Sequence, residues 1–175
     1  MKKFAEALVF AANCHSGQFR KDGRTPYINH PLEVMQLLAE AGETDEDVLS
    51  AAVLHDVIED TSTTPEEIEE RFGKRVCAIV LELTDDKRLK KHERKRIQLE
   101  TAESISAEAR RIRLCDKICN VRDIVHKAPR GWDQRRRLEY VEWAAGLAKR
   151  LRGCHAELEN VLAKELEDAL KELRG

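Results

Sequence analysis

The sequence predicts an all-α fold, an orthogonal bundle of helices, on three observations. Apolar residues recur at three- and four-residue intervals along most of the chain. No segment sustains the period-two alternation of a half-buried strand, and the periodic stretches are bounded by helix start and stop residues. The 175 residues suit one domain, spanning 1–175, with a substantial core and with no linker, internal repeat or low-complexity tract.

Phe4, Leu8, Ala11 and Ala12 form the first apolar stripe. The polar stretch from Ser16 to Asn29 holds Gly17, Gly23 and Pro26 and reads as a loop long enough to carry function. A second helix runs from about Pro31 to Ala41, with proline in its first turn and Gly42 beyond its end. A third begins near Asp45 and carries Val48, Leu49, Ala52 and Val53 toward His55. Thr64-Pro65-Glu66-Glu67 has the pattern of a capping box, with Thr64 as N-cap and Glu67 at N3, opening a short helix to Phe72. Val76, Ile79, Val80 and Leu83 define another helix, which ends near Thr84. Asp85 to His92 has no apolar period and reads as an exposed, charged connection.

From Ala107 to His126 the residues Ile112, Cys115, Ile118, Cys119, Val121 and Val125 recur at helical spacing, and two further helices cover Gln134 to Leu151 and His155 to Leu173. The last carries Leu158, Val161, Leu162, Leu166, Ala169, Leu170 and Leu173. That stripe spans only about two heptads, so packing on the bundle is favoured over a homodimer, the alternative use of the same face.

A net charge of −2 gives no global attraction to nucleic acid; the basic clusters Arg20-Lys21, Lys90-Lys91 and Arg135-Arg136-Arg137 are local. No window is apolar enough for a membrane span and no signal-peptide pattern opens the chain, so the expected location is the cytoplasm. Five cysteines without paired spacings read as reduced thiols. Cys115 and Cys119 share a helix face, but a structural zinc ion needs four N or S ligands and no second pair lies nearby.

Chemistry concentrates in the run Ala51 to Thr61, where an Ala/Val/Leu face is followed by His55, Asp56, Glu59 and Asp60. Carboxylates are almost never buried unless paired or bound to a metal, so this cluster asks for a cation. His30, His55, Asp56 and Asp116 are the candidate ligands. Adjacent helical residues diverge by about 100°, so one ion can take both His55 and Asp56 only at a seam between helices. The spacing therefore predicts that the second, third and long helices converge on one point. Two imidazoles and two carboxylates suit manganese, iron, cobalt or zinc better than calcium and leave positions open for water. Taken singly, His30 reads as a helix cap and Asp116 as the surface partner of Lys117; the apolar flanks of Asp116 argue instead for a buried helix. Glu59 follows His55 by one turn, and Asp60 follows Asp56, which makes both second-sphere candidates. Carboxylates at a helix C-terminus oppose the macrodipole, which favours a functional reason for them.

These residues sit in longer strings. They are Arg20-Lys21-Asp22-Gly23, Thr25-Pro26-Tyr27-Ile28-Asn29-His30-Pro31, His55-Asp56-Val57-Ile58-Glu59-Asp60-Thr61 and Asp116-Lys117-Ile118-Cys119-Asn120-Val121-Arg122-Asp123. The chain thereby resembles the HD-domain metal-dependent phosphohydrolases, and more closely the guanosine tetraphosphate hydrolase domain of RelA/SpoT proteins. Thr84-Asp85-Asp86-Lys87, Glu93-Arg94-Lys95-Arg96, Gly131-Trp132 and Glu139-Tyr140-Val141-Glu142-Trp143-Ala144 are similar to the stand-alone small alarmone hydrolases, so the likeness covers nearly the whole chain and leaves no length for a synthetase domain. Lys90 stands where those relatives tend to have proline, and Cys115 where they have alanine.

The resemblance implies an HD-type bundle that removes the 3′-pyrophosphate of guanosine tetra- or pentaphosphate, giving GDP or GTP, with one divalent metal, manganese. It implies that Glu59 and Asp60 orient and deprotonate the attacking water and relay a proton to the leaving ribose oxygen. A substrate with several negative charges needs cations beyond the metal, and Arg20 and Lys21 on the loop before His30 are placed to supply them. The resemblance adds Lys91, Asn120, Arg136 and Tyr140 as substrate contacts. Two other readings share this sequence: an HD-type nucleotide phosphatase acting on NADPH or deoxynucleoside monophosphates, and a non-catalytic alarmone sensor, against which intact Glu59 and Asp60 count.

Overall fold

Local signals set the helix boundaries. In the computed structural model, which describes residues 1–175, they give ten helices and no strand. The helices are α1 (Lys2–Cys14), α2 (Asn29–Glu40), α3 (Glu46–Leu54), α4 (Val57–Asp60), α5 (Pro65–Phe72), α6 (Lys74–Leu83), α7 (Lys91–Thr101), α8 (Ala107–His126), α9 (Gln134–Arg150) and α10 (Ala156–Arg174). Asp45, Ser106, Asp133 and His155 each accept a hydrogen bond from a backbone N–H in the first turn of the helix that follows, satisfying donors that the helix cannot. At α5 only half of the expected capping box forms: Thr64 accepts from Glu67 N at 3.3 Å, and Glu67 does not reach back.

α8 is the centre of the bundle and packs against α2, α6, α9 and α10. Ile112, Leu114, Cys115, Ile118, Cys119, Val121 and Ile124 are buried, as are Arg113 and Lys117, so this helix is enclosed on most of its circumference. α3 lies across α1, α2 and α6, and buried Ala51 and Ala52 leave room for these close neighbours. The C-terminal stripe is used within the chain: Leu158, Leu162, Leu166, Ala169 and Leu173 are buried where α10 packs on α8 and α9. No helix is long and apolar enough to cross a membrane.

Three expectations need correction. Ala12 faces outward and Ala7 takes its place in the core, because the buried face of α1 follows residues 4, 7, 8 and 11. The stretch toward Asp60 is two helices, since α3 stops at Leu54 and Asp56, at φ −101° and ψ −4°, starts the separate turn α4. The charged connection after Asp85 ends at Lys90, and α7 follows it without a single buried residue.

Candidate active site

The break between α3 and α4 resolves the geometric problem posed by adjacent ligands. On an unbroken helix the side chains of residues 55 and 56 would diverge; here His55 Nε2 lies 3.2 Å from Asp56 Oδ2. α2 delivers His30 from its first turn and α8 delivers Asp116 from its middle. His30 Nε2 lies 3.1 Å from Asp116 Oδ1 and 3.8 Å from Asp56 Oδ2, and His55 Nε2 lies 4.0 Å from Asp116 Oδ1. Separations of 3.1 to 4.0 Å are those open to donors that share one ion at about 2.1 Å.

The donors are also aimed. His55 Nδ1 is 2.8 Å from the carbonyl of Ala52, which makes Nδ1 the donor and leaves the lone pair of Nε2 facing the carboxylates. That Nε2 is buried and makes no hydrogen bond of acceptable geometry. An unpartnered buried nitrogen beside two carboxylates is costly for packing alone, and it fits a divalent cation among the clustered donors His30, His55 and Asp56, with Asp116 beside them at 3.1 Å from His30. Burial would raise Asp56, but the neighbouring His55 overrides it and holds the carboxyl well below the usual range. For Asp116 burial is likewise outweighed, here by Lys117 at 2.8 Å and by the His30 hydrogen bond. Burial opposes a charge on His55, yet Asp56 and Asp116 push it up to about 9, so without a cation a proton takes the cation's electrostatic place.

Around this centre lies a cleft of 480 Å³, within the range of small-molecule sites. Glu59 and Asp60 line it on the α4 side. Glu59 Oε2 accepts from the backbone N–H of Asp85 at 3.1 Å and Oε1 lies 3.4 Å from Arg94, while burial and the charge of Asp56 push its carboxyl up to about 7. Asp60 meets the Tyr27 hydroxyl at 2.7 Å and pairs with Lys87. The four-residue α4 has almost no macrodipole, so the expected dipole penalty does not apply, and these partners fix both carboxylates instead.

Of the expected substrate contacts, Arg20, Lys21, Lys91, Asn120 and Tyr140 line the cleft. Arg136 does not line it; its guanidinium stands 4.5 Å from the Trp132 ring centre, at the rim. Arg20 is already engaged, with Asp123 at 2.9 Å and Asn120 Oδ1 at 2.7 Å, and Asn120 in turn donates to Asp116 Oδ1 at 2.5 Å. Lys21, Lys91 and Lys95 have no carboxylate partner and lean on aromatic rings: Lys21 and Lys91 over Trp132 at 5.4 and 4.8 Å, Lys95 over Trp143 at 4.6 Å. Burial lowers all three, and neighbouring cations add to it: Arg20 beside Lys21, Arg136 beside Lys91, and Lys91 beside Lys95, which falls to about 8. An array of unneutralised cations is what a polyanion requires.

Sequence reasoning passed over Tyr27, Asp85, Lys87, Arg94, Asp123, Trp132 and Trp143 as site residues, all of which line the cleft. Two had a readable signal. Asp123 continues the Asp116, Asn120 spacing along one face of α8, and Tyr27 precedes His30 by three residues. Asp85, Lys87 and Trp132 come from loops and Arg94 from α7, where no period points inward, while Trp143 comes from α9. Cys115 and Cys119 are free thiols in the core, and burial pushes Cys115 up to about 12.

A family model for the HD domain matches residues 7–153. Over 159 residues the chain is 52% identical to a guanosine-3′,5′-bis(diphosphate) 3′-pyrophosphohydrolase of Xenopus tropicalis, an alignment covering 90% of this chain and 89% of that one. It is 50% identical to the enzyme of the same name from Homo sapiens, with the same coverage. A solved structure described as a metazoan orthologue of SpoT that hydrolyses ppGpp and plays a role in starvation responses superposes with a TM-score of 0.93 at 47% identity, over 96% of each chain. With its candidate ligands converging between α2, the α3–α4 break and α8 and these likenesses covering almost its full length, the chain belongs to the HD domain family.

Proposed function

We propose that the chain is a metal-dependent phosphohydrolase that removes the 3′-pyrophosphate of guanosine tetra- or pentaphosphate, leaving GDP or GTP, with manganese as the metal. The observation that supports this reading most is the placement in one cleft of the donor cluster His30, His55 and Asp56 with Asp116 beside it, two further carboxylates and unpaired lysines facing them. The pyrophosphohydrolase name carried by relatives near 50% identity supports the choice of substrate.

His30, His55, Asp56 and Asp116 would hold the ion. When bound, a divalent cation polarises a phosphoryl oxygen and acidifies water. Glu59 and Asp60 take the proton of the attacking water and return one to the ribose oxygen that leaves. The partly protonated character of Glu59 suits a group that must both accept and donate near neutral pH. Lys21 and Lys91 meet the phosphates, Arg20 and Asn120 hold the α8 side of the pocket, and Tyr140 and Arg136 close it beside Trp132.

Release of pyrophosphate from guanosine tetraphosphate, measured after chelation and re-addition of single divalent ions, tests the reading. Activity should return best with manganese, and Glu59→Gln should lower kcat by at least about a hundredfold while nucleotide binding persists. Turnover of NADPH or of deoxynucleoside monophosphates far above that of guanosine tetraphosphate would refute the substrate. Unchanged turnover in Glu59→Gln would refute the role of that carboxylate.

A further inference from the structure

Tyr27 stands at the end of the loop between α1 and α2, held there by its backbone N–H, which donates to the carbonyl of Gln18 at 2.9 Å. Its hydroxyl lies 2.8 Å from Asp56 Oδ2 and 2.7 Å from Asp60 Oδ2. One hydroxyl has one proton, so it donates to one carboxylate at a time while fixing the separation of both. The ring is itself held. It stacks on the buried imidazole of His15 with centroids 4.7 Å apart and planes at 27°, and the Arg20 guanidinium lies 5.5 Å from its centre. His15 Nδ1 is 2.8 Å from Gln18 Oε1, and Gln18 Nε2 donates to the carbonyl of Asp60 at 3.0 Å. Asp60 is therefore tied to this loop twice, through its side chain by Tyr27 and through its backbone by Gln18.

We infer that Tyr27 is a positioning residue that sets Asp60, one of the two proposed proton-transferring carboxylates, against Asp56, the proposed metal ligand. The inference rests on the proposed role of Asp60. Asp60 has no contact with His30, His55 or Asp116 that would place it, and its other oxygen pairs only with Lys87, a long side chain on an exposed loop. The rigid hold comes from the tyrosine. A displacement of about 1 Å between reacting groups lowers rates by about a hundredfold, and loss of a hydrogen bond that orients a metal ligand weakens affinity or activity by about 10- to 100-fold. Tyr27 does not act by touching substrate, because its hydroxyl is committed to the two carboxylates and its ring to His15 and Arg20.

Tyr27→Phe keeps the ring and its stacking and deletes only the hydroxyl. At saturating manganese, kcat for guanosine tetraphosphate should fall about 10- to 100-fold with KM within about twofold of wild type. The dissociation constant of manganese alone, read from the free-ion electron paramagnetic resonance signal, should rise by about tenfold through Asp56. In an Asp60→Asn background the same substitution should lower kcat by less than about threefold, because the group it positions is already disabled. Full additivity in that cycle, a KM rise that accounts for the whole loss, or a lowered melting temperature with kcat and manganese affinity unchanged would each overturn the inference. Wild-type protein that fails to turn over guanosine tetraphosphate would sink the proposed function instead, and the manganese titration would still report on Tyr27.

Discussion

At the residue scale, Glu59 sits in an environment that its sequence neighbours do not suggest. Burial raises its carboxyl, and the Asp56 charge adds to that, bringing it to about 7 from an ordinary 4.5. The folded, metal-free protein therefore binds a proton on Glu59 more tightly than the unfolded chain does. Stability linked to this group is intact below 4.5 and declines as pH rises through about 7, the opposite of the usual paired carboxylate. Glu59→Gln removes the titration. In the presence of a chelator the variant should gain melting temperature relative to wild type on going from below 4.5 to above about 7, as differential scanning calorimetry can read. A gap independent of pH would mean that Glu59 titrates normally. A cation at His30, His55, Asp56 and Asp116 offsets the repulsion from Asp56, so with manganese bound the same pH dependence should shrink and shift toward lower pH.

Among the elements, α3 shows how far local signals reach. Asp45 caps it by accepting from Asp47 N at 2.9 Å, and the helix then delivers His55 at its end. Asp45→Ala should lower the free energy of unfolding by about 1 kcal/mol, Asp45→Asn by clearly less, with the urea m-value unchanged in both; equal losses would mean that the side-chain cap contributes nothing. Caps of this kind, and the apolar periods behind them, were legible: the expected long helix from Ala107 to His126 is α8 to the residue, and the approach of His30, His55, Asp56 and Asp116 to one another followed from burial chemistry and helical spacing. What was not legible has physical causes. α7 buries no residue, so Lys91-His92-Glu93-Arg94-Lys95 presents no stripe and reads as a loop. The break after Leu54 carries no glycine or proline, so no local signal marks it. Asp85, Lys87 and Arg94 reach Glu59 and Asp60 across 26 to 35 residues of sequence, a pairing that no spacing rule encodes.

For the whole molecule, the proposed cation site would tie distant parts of the chain together. Its proposed donors come from positions 30, 55 and 56, with 116 beside them, on α2, on the α3–α4 break and on α8, and the core that places them is shared by all three elements. The unfolded chain cannot gather these four groups, so an ion that binds the folded form alone adds its binding free energy to stability. At manganese a hundredfold above its dissociation constant the gain is about 2.7 kcal/mol, which for a domain of this size raises the melting temperature by roughly 5–10 °C. Calcium, which prefers six to eight oxygen ligands, should give a much smaller rise. Asp116→Asn should abolish most of the manganese effect, because it removes the charge of the one proposed ligand that α8 supplies while leaving the volume of the core unchanged. The Lys117 ammonium, left in the interior without its 2.8 Å partner, should also lower the stability of the chelated variant. If scanning calorimetry showed the same manganese shift in Asp116→Asn as in wild type, α8 would not contribute a ligand, and the ion would be held by α2 and the α3–α4 break alone.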